Sequence, residues 1–439
     1  MELELKILKG TTDYLPNEQI IRARIAAKLS RVFELYGFLP LETPILEYYD
    51  ILASKYAGGA EILKETYKLT DQGQRELALR YDLTIPFSRV LGMNPSLPKP
   101  FKRYEIGKVF RDGPVKPGRN REFTQCDVDI AGVKSVIAES ELIALTLDVF
   151  SLLKIDINVE INNRKLLSGI LREAGIPSDR LADTILSIDK LKKIGREEVN
   201  KELAEKNIIG PAIEKAFDFL SIGGSPSEIL ASYQQLLTSD ISREGLKELQ
   251  ELFESLKAMN IPEDKITVVS SLARGLEIYT GTVFEIFAKD SPISSSLAAG
   301  GRYDKIIGSF LDSDTEIPAV GISFGLEPIY AVIVAQGIRS ENDLRIFVIS
   351  IQSNLYALKI IAQLRKAGIP SELDLRQKGL SKALEYANSQ KFTYVVIVGK
   401  KEVESGKLTL RNMESGVEER LTIEEVVGKL RKERELSER

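Results

Sequence analysis

FKRYEIGKVFRDGPVKPGRNREFTQCDVDIAG, residues 101–132, is the densest stretch of the chain, and its reading decides the fold. VFR (109–111) reads as the end of one strand, DGPVKPG as a loop, and REFTQCDVDIAG as a second strand. On a strand alternate side chains share a face. Phe123, Gln125, Asp127 and Asp129 therefore stand together, opposite Thr124, Cys126 and Val128. An aromatic ring, an amide and two carboxylates on one face are either a solvated hairpin surface or the floor of a binding site. Arg111, Arg119 and Arg121 crowd the same hairpin loop. A cationic loop over such a floor suits a nucleotide together with an amino-bearing substrate.

The elements flanking this hairpin are legible from their periodicity. Residues 17–36 carry Ile20, Ile21, Ile25, Leu29, Val32 and Phe33 near helical spacing, and Gly37 ends the helix. An extended segment punctuated by Pro40 and Pro44 follows. Residues 139–153 predict another apolar-striped helix, and INVEI (157–161) alternates like a strand. From about 163 to 260 the texture is helical. Strand patterns return in ITVVSSLARGL and GTVFEIFA, then in AVGISFGL, which leads into a helix reaching about residue 335. After the polar stretch 337–344, RIFVISI, IPSELDL and TYVVIVG alternate with two helices. That βαβαβ order predicts a small α/β domain with a partly parallel sheet.

Composition removes several chemistries. Histidine is absent, so serine–histidine and cysteine–histidine catalysis and histidine-ligated metals are excluded. The single cysteine, Cys126, excludes an internal disulfide and a multi-cysteine zinc site; no metal-ligand set is expected. Carboxylates, arginines and backbone dipoles remain, which suits reactions that need positioning and charge neutralisation. The net charge of −4 argues against indiscriminate polyanion binding and leaves specific RNA recognition open. The sequence shows no apolar run of membrane-spanning length and no signal peptide at its start, so a cytoplasmic protein is expected.

Four further segments complete the candidate chemistry. In LARGLEIYTGTVFEIF (272–287), Arg274 sits between apolar residues where a buried strand is expected, and Gly275 permits close approach. A buried arginine needs an anion: an internal partner such as Asp127, or a bound phosphate or carboxylate. In LRYDLTIPFSR (79–89), Asp82 and Thr84 are turn residues or ligands of an ammonium group. AAGGRYDKIIGSF (298–310) places paired glycines before Arg302. AVGISFGLEPI (319–329) is a glycine-punctuated strand entering a helix.

Together these segments resemble the three motifs of class II aminoacyl-tRNA synthetases, and RGLEIYTG with GRNREFTQCD resembles the histidyl-tRNA synthetase family. The CDVDIAG ending is similar to the archaeal and eukaryotic branch. The resemblance implies an α+β catalytic domain with a mainly antiparallel sheet (1–162 and 261–336), a helical insertion (163–260) and a C-terminal α/β anticodon-binding domain (343–430). It implies histidine activation by ATP with Mg²⁺, then transfer to the 3′ end of tRNA(His), by a homodimer built on residues 17–46.

Residue roles follow the same resemblance. Arg111 and Arg274 would serve the α-phosphate, and Phe123 would stack on adenine. Arg119 and Arg302 are candidates for the remaining ATP phosphates. Asp82, Leu83 and Thr84 would surround the substrate ammonium, with Gln125 near its carboxylate. Asp129 and Tyr279 would hydrogen-bond the imidazole, with Ile278 alongside. Three positions depart from the family pattern. Gly113 stands where many relatives carry a glutamate near the adenine amino group. Ile278 stands for a tyrosine, and Pro328 for the motif 3 arginine on the γ-phosphate. The rival family is the synthetase-like regulatory subunit of ATP phosphoribosyltransferase, which lacks the anticodon-binding domain and loses active-site residues.

Overall fold

A computed structural model describes residues 4–55, 63–115, 118–208, 210–274, 278–311, 316–337 and 344–437. The chain divides into two compact units, Met1–Gln336 and Gly337–Arg439.

The first unit opens with the helix Pro16–Leu35. Pro16 occupies its first turn, where a missing N–H costs nothing, and Glu18 Oε2 accepts the Leu15 N–H at 3.2 Å. Gly37, at φ +77°, takes the left-handed conformation that closes the helix. Ile25, Leu29, Val32 and Phe33 are buried as the spacing predicts, whereas Ile20 is 40% exposed.

In chain order the strands of this unit are β1 (Leu39–Pro40), β2 (Leu46–Tyr48), β3 (Lys68–Thr70), β4 (Glu76–Leu79), β5 (Phe101–Phe110), β6 (Glu122–Ala131), β7 (Ile157–Asn163), β8 (Ile266–Val268), β9 (Thr282–Ala288), β10 (Ala298–Arg302) and β11 (Ala319–Gly325). Eight form one sheet in the order β1-β5-β6-β11-β10-β9-β7-β8. The pairs from β5 across to β7 are antiparallel; only the outer pairs β1–β5 and β7–β8 are parallel. The expectation of a mainly antiparallel sheet holds. β2, β4 and β3 make a separate small sheet.

Alternation divides the large sheet into two chemically distinct faces. Cys126, Val128 and Ile130 join Ile322, Phe324 and Phe284 in the principal core, together with the helices Pro16–Leu35 and Ile137–Leu152. The odd-numbered residues of β6 point the other way and build the site. Between β7 and β8 the described residues are helical, from Arg164–Ala174 to Asp240–Ala258. Part of this stretch packs its own cluster, including Leu167, Ile185, Val199 and Phe217.

One strand is shorter than its sequence predicts. β8 stops at Val268, a turn follows at 270–271, and Arg274 lies in a loop with φ +49°. Gly275 lies outside the described residues.

The second unit contains β12 (Ile346–Ser350), β13 (Ser371–Leu373), β14 (Tyr394–Val398), β15 (Leu408–Asn412) and β16 (Glu418–Leu421), ordered β13-β12-β14-β15-β16. β13, β12 and β14 are parallel, as the βαβαβ reading predicts, and β15 and β16 add an antiparallel hairpin. The unit has its own core around Val348, Val396, Ile361 and Leu364. No helix among the described residues is long and apolar enough to cross a membrane.

Candidate functional site

The register of β5, β6, β11 and β10 lays the site out in rows. Arg103, Asp129, Gly321 and Gly301 form one row; Glu105, Asp127, Ser323 and Ala299 form the next; Gly107, Gln125 and Gly325 form a third. Phe123 lies beyond them, opposite Val109. A cleft opens over the outer rows, lined by Arg111, Arg119, Phe123, Gln125, Arg274 and Pro328 among others. The hairpin face quoted at the outset is therefore a floor and not a solvated surface.

Arg111 follows β5 directly. Its guanidinium lies 4.2 Å from the ring centroid of Tyr81 and 4.9 Å from that of Phe123. The rings hold the cation flat over the cleft and leave its edge toward the opening. Arg119 is ion-paired with Glu65, and Arg121 with Asp112 at 3.2 Å. A Cβ at Gly113 would lie 2.7 Å from Glu65 Oε1. The carboxylate that relatives carry at position 113 is thus matched in space by one from position 65.

Arg274 differs from its expected setting. Its side chain is half-buried rather than sealed, and its anion is Glu285, at 3.9 Å, rather than Asp127. One guanidinium nitrogen, Nη1, is buried with no hydrogen-bond partner among the described residues. Arg274 also lies 5.6 Å from the Tyr279 ring. Burial raises the Tyr279 phenol above its usual range, opposed by the Arg274 charge.

Asp82 accepts the Ile85 N–H at 3.0 Å, at the start of the helix Thr84–Met93. Leu83 is fully buried, and its carbonyl accepts from Arg103 Nη2 at 3.1 Å. Ile278 packs with Tyr81, Ile85 and Leu52, so the family's tyrosine is replaced here by an apolar contact. Gln125 Nε2 donates to Ser323 Oγ at 2.7 Å.

Arg302 is a correction. It is 4% exposed, and its guanidinium donates twice to Glu139, both at 2.6 Å, and to the Val133 carbonyl at 2.9 Å. Its charge is consumed inside the fold, and it does not line the cleft. Pro328 does line the cleft, within the first turn of the helix Leu326–Ala335. Glu327 beside it binds Arg22 at 2.8 Å and the Thr124 N–H at 3.0 Å, fixing that turn to the first helix and to β6.

The site residues that sequence reasoning missed form a buried network under the floor. Arg103 is fully buried, ion-paired with Asp129 at 2.7 Å and stacked 4.4 Å from the Phe87 centroid. Arg80 donates to Glu105 at 2.8 Å, and Tyr303 donates to Asp129 Oδ1 at 2.5 Å. Burial raises the Asp127 and Asp129 carboxyls above the ordinary range, while Arg103 pulls both back. Arg103 and Glu105 alternate on FKRYEIGKVF, a signal that both belong to the face of Asp127 and Asp129.

A family profile described as Histidyl-tRNA synthetase matches residues 10–329, and one described as Anticodon binding domain matches residues 343–433. Histidine--tRNA ligase 2 of Shouchella clausii is 48% identical over 413 residues, covering 94% of this chain and 97% of that one. Histidine--tRNA ligase 1 of Bacillus cereus is 47% identical over 423 residues, covering 96% and 98%. Both are bacterial, whereas the CDVDIAG ending pointed to the archaeal and eukaryotic branch. The crystal structure of histidyl-tRNA synthetase from a Nostoc species matches with a TM-score of 0.86 at 28% identity, covering 98% of this chain and 100% of that one. A Bacillus halodurans structure described as an ATP phosphoribosyltransferase regulatory subunit/histidyl-tRNA synthetase matches at 0.76 and 20% identity, covering 91% and 99%, and bears on the fold alone.

Proposed function

The chain belongs to the histidyl-tRNA synthetase family, and from that premise we propose how its residues carry the reaction. The activity is that of a histidine–tRNA ligase, with ATP as a substrate. The regulatory-subunit reading is disfavoured by the full-length ligase relatives and by the anticodon-binding domain.

One observation carries the residue assignment: three arginines, Arg111, Arg119 and Arg274, line a cleft whose floor presents an aromatic ring, an amide and carboxylates. Histidine's carboxylate is ionised at neutral pH, so it attacks the α-phosphorus of ATP without a general base. The acyl–phosphate bond forms, pyrophosphate leaves, and Arg111 and Arg274 stabilise the developing charge. Phe123 stacks on adenine, with Glu65 in the place of the family's glutamate. Arg119 takes the outer phosphates in place of the motif 3 arginine. Asp82 and Thr84 hold the ammonium beside Leu83, Gln125 holds the carboxylate region, and Tyr279 with the floor aspartates reads the imidazole beside Ile278. In the second step the terminal hydroxyl of tRNA(His) attacks the adenylate carbonyl, its proton passes to a phosphate oxygen, and AMP leaves.

Among the described residues no group of three carboxylates could hold a metal, and Glu327 at the cleft is engaged by Arg22. The chain offers no resident magnesium site there; Mg²⁺ belongs with the ATP phosphates. The catalytic domain comprises 1–162 and 261–336, with the helical stretch 163–260 as an insertion, and 343–430 reads the anticodon stem-loop. The enzyme is a cytoplasmic homodimer. Histidine-dependent exchange of pyrophosphate into ATP tests the reading, and its absence would refute it.

A further inference from the structure

The two aspartates of CDVDIAG are not equivalent, and the difference assigns them separate tasks. The argument rests on histidine being the substrate of this cleft.

Asp129 is fully engaged by the protein. Its Oδ1 accepts from Tyr303 at 2.5 Å, and its Oδ2 is ion-paired with Arg103 at 2.7 Å. Arg103 is itself sealed beneath Leu83 and Phe87. The backbone of β11 closes over the same carboxylate: a Cβ at Gly321 would lie 1.9 Å from Asp129 Oδ1. Little of this carboxylate is left for a ligand.

Asp127 stands one row nearer the cleft, between Gln125, which lines it, and Asp129. It is 3% exposed, yet its Oδ1 is buried with no hydrogen-bond partner among the described residues. Its neighbours in the row cannot serve it. Glu105 is another carboxylate, already taken by Arg80 at 2.8 Å and Thr43 at 2.9 Å. Ser323 already accepts the amide of Gln125. Buried carboxyl oxygens nearly always have a donor, and an acceptor beside a cleft without one is built for a donor that arrives. The ring of Tyr279 lies over Gly301, in the adjoining row, where a Cβ would meet it at 2.8 Å. An imidazole entering between Tyr279 and the floor brings an N–H to this position.

We propose that Asp127, rather than Asp129, accepts an imidazole N–H of bound histidine, and that Asp129 is a positioning residue that anchors Arg103 and Tyr303 behind it. A substrate without that N–H leaves Asp127 unpaired, which is the stronger form of discrimination.

The test uses the full-length enzyme in pyrophosphate exchange with histidine and its two ring-methylated isomers, each lacking the N–H at one nitrogen. Asp127→Ala should raise the histidine KM at least about tenfold and leave the ATP KM unchanged. It should also lower the preference for histidine over one methyl isomer by at least about tenfold, with the other preference unchanged. Asp127→Asn keeps the shape and an acceptor, so it guards against misfolding and should show a smaller loss in the same direction. Asp129→Asn should lower the melting temperature and kcat while keeping both preferences. A histidine KM within about threefold of the parent in Asp127→Ala would overturn the proposal, given the loss expected for a buried acceptor. So would equal losses for all three amino acids, as an ammonium ligand would give, or a preference lost only in Asp129→Asn. An unaltered enzyme with no histidine-dependent exchange would overturn the underlying reading, and the proposal with it.

Discussion

Arg111 and Arg302 look alike in the sequence, each a lone arginine beside a turn, and the fold gives them opposite fates. Arg111 is held between two rings at the cleft; Arg302 is buried against Glu139, 163 residues away along the chain. The sequence makes the face of Phe123, Gln125, Asp127 and Asp129 legible because alternation needs only neighbours. It cannot show that Arg302 has a partner on the helix Ile137–Leu152, or that Arg274 meets Glu285 across a loop, because such pairs depend on the finished topology. Arg111→Ala and Arg274→Ala should each remove about 3–4 kcal/mol of transition-state stabilisation with little change in melting temperature. Single-turnover adenylate formation checks this, and a near-normal rate would release that residue from the role. Asp127 supplies a pH test. Burial raises its folded-state pKa above the unfolded value of about 4. Between those values the unfolded chain is ionised while the folded chain holds the proton, so stability falls as pH rises through the window. Asparagine does not titrate. Asp127→Asn should therefore stabilise the ligand-free enzyme by a margin that grows upward from about pH 4. Melting temperatures at acid and neutral pH measure it, and a margin that stays constant or shrinks would contradict the burial argument.

Whole elements were easier to read than single partners. The helix predicted over 17–36 is Pro16–Leu35, and the strand read in GTVFEIFA is Thr282–Ala288. The error at β8 came from a continuous apolar run that the chain interrupts with a turn after Val268, freeing Arg274 to approach the cleft from a loop. The first helix and its following segment leave an unusual set of apolar side chains in water. Leu15, Leu35, Leu39, Leu46 and Tyr48 are all 47% exposed or more, and β1 is the short outer strand of the large sheet. Such a surface supports the two-fold interface proposed on residues 17–46, since obligate interfaces bury about 2,000 Å² or more of largely apolar area. Sedimentation should show a dimer, and Leu39→Asp should shift it to monomer without unfolding it. An active monomer in the unaltered protein would remove the interface.

At the scale of the whole molecule, two units with separate cores divide the work. The βαβαβ pattern of the second was plain in its strand and helix runs, while the hairpin Leu408–Asn412 and Glu418–Leu421 was not, its second strand being polar and mostly exposed. Removing residues 343–430 should spare histidine activation and sharply reduce tRNA charging, because unpaired anticodon bases are what such a domain can splay and read. Equal loss of both activities, measured by exchange and by aminoacylation, would make the unit structural. The central claim is that the arginine-lined cleft activates histidine using no histidine side chain of its own. Pyrophosphate exchange into ATP by the purified full-length enzyme measures this most directly: the account predicts exchange with L-histidine and none with the other proteinogenic amino acids, and exchange that is absent, or indifferent to histidine, would contradict it.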